Sequence, residues 1–543
     1  MSSHTPSRLL NFPTEILSEI CSQLADRDIK TLRLICSRLT ALVPLRLDRV
    51  FLSANPRDVE VFNAIAAHDV LRQQVVEMVW DDALFVDKGN LAADDSHTSD
   101  GEETFPGWYG SKCMRSLLDI TSSEHAVRRE LPAWTKVPLL PISEGWAYYK
   151  QLIRQQRETL QSGAHKHAFE NAWRLRLFPN VRTIIITPAV HGRLFHPLFT
   201  TPMIRAFPPG FVYPIPRGWP TNEQFAYDAA EWEDDGTNNF AHNGYGWQGF
   251  RTVTSVLARY PHDLAELRVD AFKLPTGLNA RVFEKPCRAL ADFTTIITRP
   301  SFQKLHLDLL VHGQDQHGWP AFTSGHLARA LSAAQLTSLS IRTDVADGMS
   351  DTGEDRMLPL ETIFRPESLA RLHHFCVSGF FVREDNLIQL LARLPHSSLK
   401  TAEVSFLQFD RKGTVGVLPN GNKEYIRDES LGHLLNRMRD ELPWQNASLT
   451  IGANSRKYEG RAIWVNVDDF LYRGGKNPCG PNGCGASIEP GFGVEKDLFD
   501  RSYERPHMEF PAELGYRWWN LQLHNFNYDW SRTAEDIEEF LWD

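Results

Sequence analysis

Phe302-Gln303-Lys304-Leu305-His306-Leu307 carries apolar side chains at its first, fourth and sixth places. That is the form of a short strand whose apolar positions point into the core of a repeat array. The form recurs in Leu264-Ala265-Glu266-Leu267-Arg268-Val269 and in Leu336-Thr337-Ser338-Leu339-Ser340-Ile341. It is present earlier in Phe178-Pro179-Asn180-Val181-Arg182-Thr183-Ile184-Ile185-Ile186. Looser copies begin at Leu369 (Leu372, then His374 or Phe375) and Leu399 (Ala402, Val404), and Leu449-Thr450-Ile451 is a last fragment. Starts at 264, 302, 336, 369 and 399 are separated by 38, 34, 33 and 30 residues, a drifting period.

Amphipathic helices are predicted ahead of several copies: 248–260 (Phe250, Val253, Val256, Leu257), 326–334 (Leu327, Leu331), 384–394 (Leu387, Leu390, Leu391, Leu394) and 429–442 (Leu431, Leu434, Leu435, Met438). A helix followed by a short strand, repeated, builds a parallel sheet with helices on its convex side and a concave face opposite. The form resembles a leucine-rich repeat, with a period longer than the usual 20 to 29 residues of that class. An ordinary α/β domain with unrelated strand sequences is the alternative.

The N-terminal segment reads as three short helices. Pro13 suits a first helical turn, and Ile16, Leu17, Ile20 and Leu24 follow on one stripe. Asp28 is placed to cap a second helix, in which Ile29, Leu32, Ile35, Leu39 and Leu42 repeat until Pro44. A third turn over 45–49 leads into the strand-like Val50-Phe51-Leu52. So small a unit has a marginal core, so part of its apolar surface should face a partner.

The run Phe12-Pro13-x-Glu15-Ile16-Leu17-x-x-Ile20-x-x-x-Leu24, then Asp28-Ile29-x-x-Leu32-x-x-Ile35-Cys36-Ser37-Arg38-Leu39, resembles an F-box, the module that docks on a Skp-family adaptor in cullin-based ubiquitin ligases. It departs at Phe12, where Leu is usual, and at Leu39, near where many members carry Trp. The resemblance implies adaptor docking through Phe12, Pro13, Ile16, Leu17, Ile20, Leu32 and Leu39. The whole chain resembles, more loosely, fungal-type F-box proteins with degenerate leucine-rich repeats. That implies an α/β chain in which a three-helix module precedes an irregular solenoid with long insertions. It also implies a non-catalytic, substrate-recognition subunit of an SCF-type ligase, with the adaptor, a cullin scaffold and a target protein as partners. A repeat-protein scaffold that does not direct degradation is the alternative.

The organisation expected is an F-box module over 1–52, a connecting segment over 53–145, a repeat domain over 146–455 and a capping region over 456–543. Within the connecting segment, 87–107 is polar and acidic and is expected to be a mobile loop. Its Ser99 stands in an acidic context that suits phosphorylation, though plain solvated loops share that context. Residues 187–246, rich in Pro, Gly and aromatics, form a long insertion, expected either to contact a target or to cover a sheet edge.

Composition narrows the function. The 543 residues, 42 % of them hydrophobic and 11 % aromatic, can bury a large core. The 68 acidic and 58 basic side chains give a net charge of -10 with no long basic run, so nucleic acid is not an expected partner. No leader-like or membrane-spanning apolar run is present, so a cytoplasmic or nuclear location without membrane association is expected. Seven scattered cysteines fit reduced thiols. Cys479 and Cys484 have a metal-like spacing but lack a second pair, so neither zinc nor another cofactor is expected. The histidine pairs His165/His167, His312/His317 and His373/His374 sit in no catalytic motif, and acidic pairs such as Asp234-Asp235 and Asp468-Asp469 suit solvated faces. No enzymatic activity is expected.

Overall fold

Runs of β-branched and leucine residues form strands, and the amphipathic stretches between them form helices on one side. The computed structural model describes residues 12–24, 26–43, 46–86, 105–121, 138–220, 232, 246–272, 274–311, 314–344, 357–409, 413–417, 423–427, 430–444, 446–454, 462–480, 487–496, 499 and 504–508. Ser99 with most of the acidic loop, Cys484, Asp234-Asp235, much of the 187–246 insertion and the tail from 509 lie outside them.

The strands are β1 (Arg49–Ser53), β2 (Glu77–Asp81), β3 (Thr183–Thr187), β4 (Glu266–Val269), β5 (Leu278–Asn279), β6 (Lys304–Leu310), β7 (Ser338–Thr343), β8 (His374–Ser378) and β9 (Phe381–Val382). They continue with β10 (Thr401–Ser405), β11 (Gln408–Phe409), β12 (Gly413–Val417), β13 (Lys423–Arg427), β14 (Ser448–Asn454), β15 (Ala462–Asn466), β16 (Val494–Lys496) and β17 (Glu504–Pro506). A 13-stranded sheet has the order β1-β2-β3-β4-β6-β7-β8-β10-β14-β15-β16-β17, with β5 pairing β6. Within this sheet every pairing from β1 to β14 is parallel and those from β14 to β17 are antiparallel, while β12 and β13 form a separate antiparallel pair. The chain is therefore a mixed α/β protein built on a large, mostly parallel sheet. Each repeated sequence form lies in or runs into a strand: β3, β4, β6, β7, β8, β10 and β14.

Helices precede these strands. Pro56–Ala67 stands before β2, Ala164–Arg174 before β3, Gln248–Arg259 before β4, Arg288–Ile297 before β6 and His326–Ala333 before β7. Glu384–Ala392 stands before β10 and Leu431–Glu441 before β14. Their apolar stripes join alternate strand residues, among them Leu267, Val269, Leu305, Leu307, Leu339, Ile341, Phe375, Val377, Ala402 and Val404, in one continuous core. Because strand side chains alternate, the residues between these face the other side of the sheet.

The sheet begins earlier than the repeat spacing suggests. β1 and β2 lie outside the expected 146–455 domain, yet they pair in register with β3, Glu77 opposite Thr183 and Met78 opposite Ile184. Over these first strands the helix-free face is covered. Phe51, Val79 and Ile185 pack against Val190, Leu198 and Phe199 from the described part of the insertion. That part continues into a second aromatic cluster, in which Phe211 and Tyr213 join Tyr109, Trp146 and Tyr149 of the helices Gly107–Thr121 and Ile142–Ser162. The insertion thus covers a sheet face and not only an edge. Gly218 closes it onto β2 at φ +78°, where a Cβ would stand 2.0 Å from the Asp82 carbonyl oxygen.

Three helices, α1 (Thr14–Ser22), α2 (Asp26–Arg33) and α3 (Ser37–Leu42), precede β1. They share a small core of Cys21, Ile29, Leu39 and Val43, separate from the main one. Arg46 Nη2 ties the segment together by donating to the Cys21 carbonyl at 2.6 Å. Asp468, expected on a solvated face, opens the helix Asp468–Arg473 and accepts from the Leu449 N–H at 2.8 Å and from Ser448 Oγ at 2.9 Å.

Candidate functional site

From β4 onward the helix-free face turns polar. In one row Arg268, His306, Ser340, Cys376, Glu403 and Thr450 stand opposite one another across neighbouring strands. In the next row Asp308 pairs with Arg342, Arg342 with Ser378 and Ser378 with Ser405. Asp270, the residue after β4, joins this row beside Asp308. A shallow groove of about 190 Å³, lined by Ser338, Ser340, Cys376, Thr401, Glu403 and Thr450, runs over β7 to β14.

The densest part is an ionic cluster at the border with the covered third of the face. His306 Nε2 is 3.0 Å from Asp308 Oδ1 and 3.7 Å from Asp270 Oδ1. Arg268 pairs with the other Asp270 oxygen, and Arg342 Nη2 lies 3.9 Å from Glu403 Oε1. Backbone groups hold the carboxylates in place: the Ala271 N–H donates to Asp308 Oδ2 at 2.7 Å and the Phe272 N–H to Asp270 Oδ1 at 2.9 Å. Burial acts to raise the Asp270 pKa, but His306, Arg268, Arg342 and the Phe272 N–H outweigh it and hold the carboxyl below its ordinary range. Burial also acts against the Arg342 charge, and Cys376, Asp308, Glu403 and Asp270 together overcome it and strengthen its basicity. Burial, then Glu403, pushes the Cys376 thiol up to about 11 against Arg342 and Ser340, so this cysteine is protonated at neutral pH and is a poor nucleophile.

A second set of acids lies deeper. Asp58 accepts from Ser53 Oγ at 2.6 Å and from the Met203 N–H at 2.8 Å. Asp82 accepts from Trp80 Nε1 at 3.0 Å, Trp219 Nε1 at 2.8 Å and the Gly249 N–H at 2.8 Å. Asp81 accepts from the Ala83 N–H at 2.9 Å, and burial pushes its carboxyl far up. Asp82 thus joins the end of β2 to the returning insertion and to the helix Gln248–Arg259, and Asp58 joins the helix Pro56–Ala67 to β1 and to Met203, which are structural roles.

The residues assigned to adaptor docking separate into two groups. Phe12, Ile16 and Ile20 are 44, 47 and 41 % exposed, and Pro13 is exposed beside them. Leu17 and Leu39 are 1 and 2 % exposed, Leu39 inside the small helical core, and Leu32 is half-buried against it. Leu34 and Ile35, at 88 and 67 %, are the most exposed large apolar side chains among the described residues of this segment. Ile35 was read as part of a helical stripe and of the F-box-like run but not as a docking residue, and Leu34 was missed, because the stripe alone does not tell which side has a neighbour. The ionic cluster was missed altogether. Its one sequence signal is His306-x-Asp308 on a strand, which places both side chains on one face. The chain matches no protein-family model and no curated protein sequence.

Proposed function

We propose that the chain is the substrate-recognition subunit of an SCF-type ubiquitin ligase, docking a Skp-family adaptor through α1–α3 and presenting a target on its helix-free face. The observation that carries this reading is the apolar surface of the N-terminal helices: among the described residues Phe12, Ile16, Ile20, Leu34 and Ile35 stand exposed, as many as the apolar residues buried there, Leu17, Cys21, Ile29, Leu39 and Val43. Exposed aliphatic groups gathered on so small a unit suit a protein partner. The sheet supports the other half. Strands that follow in chain order, with their helices on one side, are what an irregular leucine-rich-repeat-like solenoid requires, and the polar face left open over β4 to β14 suits a target. The reading takes the chain to be non-catalytic, with a cullin joining through the adaptor in the cytoplasm or nucleus. Among the described residues no helix is long and apolar enough to cross a membrane.

Docking and folding separate at neighbouring positions. Ile16→Asp puts an acid in the first turn of α1, a favourable place for negative charge, and is expected to change stability by less than about 1 kcal/mol. Leu17→Asp buries a charge where an aliphatic group was, and is expected to cost more than about 3 kcal/mol of the helical unit's stability. Circular dichroism of both full-length variants checks this; equal melting curves would contradict the placement of Leu17. The functional test is protein turnover in cells carrying wild type or Ile16→Asp. A set of proteins whose half-lives lengthen with Ile16→Asp supports the ligase reading. Unchanged half-lives across the proteome would overturn it in favour of the non-degradative scaffold.

A further inference from the structure

We propose that Asp270, His306 and Asp308 form a binding site for one divalent transition-metal ion that accepts mixed nitrogen and oxygen donors, zinc(II) being the first choice. One imidazole nitrogen and two carboxylate oxygens offer three donor atoms, all within 4.8 Å of one another. A tetrahedral ion about 2.0 to 2.2 Å from each donor needs them about 3.3 to 3.6 Å apart. The 3.0 Å and 3.7 Å separations at His306 Nε2 are already close to that range.

A second observation points to a ligand. Asp308 is 4 % exposed, and its Oδ1 has no hydrogen-bond partner; the facing His306 Nε2 has none either. The two atoms are near each other, but neither is oriented to bond the other. A buried carboxylate oxygen left unsatisfied calls for an explanation, and a cation between the two atoms supplies it. The surrounding groups are arranged as an outer shell would be. The Ala271 and Phe272 N–H groups donate to Asp308 Oδ2 and Asp270 Oδ1, which holds both carboxylates beside the imidazole and leaves Asp308 Oδ1 without a hydrogen bond.

Charge does not forbid the ion. Asp270, Asp308 and Glu403 carry three negative charges against Arg268 and Arg342, so with a neutral imidazole the cluster is anionic by one. The two guanidiniums hold the affinity down, and three protein donors leave coordination positions for water or for an oxygen ligand. His306 keeps 11 % of its side chain exposed, which gives the ion a path from the groove side. The site does not depend on whether the N-terminal helices dock an adaptor.

The test uses the full chain stripped with a chelator, then titrated with zinc(II) chloride by calorimetry and with cobalt(II) chloride by visible absorption. One ion per wild-type chain is expected. His306→Gln and Asp308→Asn are each expected to weaken that binding by at least about tenfold, the loss that even outer-shell changes bring, whereas the exposed His396→Gln leaves it unchanged. Asp308→Asn retains an acceptor for the Ala271 N–H, so it keeps the backbone tie. Cobalt spectra of the wild type read the ligands without any variant: d–d bands with no thiolate charge transfer support the site. No stoichiometric binding, equal binding by both variants, or a thiolate band would overturn it.

Discussion

Asp82→Ala is expected to lower the unfolding free energy by about 3 to 6 kcal/mol, because it strips the acceptor from three buried donors at once. Trp80 Nε1, Trp219 Nε1 and the Gly249 N–H all point at this one carboxylate. Each buried donor left unpaired costs about 1 to 3 kcal/mol, and the cost of burying the carboxylate itself, now relieved, offsets part of the sum. Space around the site is tight: a Cβ on Gly249 would meet Trp80 Cδ1 at 2.5 Å. Asp82→Asn keeps Oδ1 for Trp80 and Gly249 but turns an amide toward Trp219, so it should cost about 1 to 3 kcal/mol, one donor's share. Denaturant unfolding checks both, and an alanine variant as stable as wild type would show that these bonds do not hold β2 to the insertion.

Stability is expected to fall between about pH 4 and pH 7.5 through Asp58 and Asp82. Burial raises both from 3.8 to about 6, against the hydrogen bonds from Ser53 and Met203 to Asp58 and from Trp219, Trp80 and Gly249 to Asp82. Between those values the folded chain holds protons that the unfolded chain has released. Their contribution is therefore fully present below the unfolded value and is lost as the pH rises through about 6. At 1.36 kcal/mol per pKa unit, a rise of about two units corresponds to about 3 kcal/mol per group. Asp270 runs the other way: its lowered pKa gives stability above the ordinary carboxylate value that is lost on acidification. Asp58→Asn cannot titrate and keeps an acceptor for the Met203 N–H. Relative to wild type it should gain about 2 to 3 kcal/mol on going from about pH 4 to pH 7.5. A difference between the two chains that does not change with pH would contradict a raised Asp58.

Much of the sheet was legible because its signal is local. Leu267 with Val269 and Leu305 with Leu307 announce a strand and its buried face within six residues, and the helix before each announces the side on which it packs. β1 and β2 were harder to place, since Val50-Phe51-Leu52 and Val79-Trp80 carry no spacing that ties them to β3 more than 100 residues later. The ionic cluster was illegible for a related reason. Asp270 follows β4 and His306 lies in β6, and only the register that sets Arg268 opposite His306 brings them together. The histidine pairs of the sequence do not form sites: on the helix Ala164–Arg174, His165 is buried against Gln248 while His167 is exposed, and His312 lies outside the described residues. Asp81 and Asp82 carry no local signal in the sequence; the bonds of Asp82 to Trp219 and Gly249 are set by segments far along the chain. Leu17 and Leu39 fell on the same apolar stripes as Ile16 and Ile35, and only the packing of α1 to α3 decides which of them face inward.

The central claim is that the exposed face of the N-terminal helices docks a Skp-family adaptor. The most direct measurement is calorimetric titration of a purified adaptor into the full chain, wild type and the double variant Ile16→Asp, Ile20→Asp. Each aliphatic group buried at the interface would contribute about 1.5 to 3 kcal/mol, so the double variant should bind at least about 100-fold more weakly while keeping its helical content. Wild-type binding that the double variant fails to disturb, or no binding by a folded wild-type chain, would contradict the account.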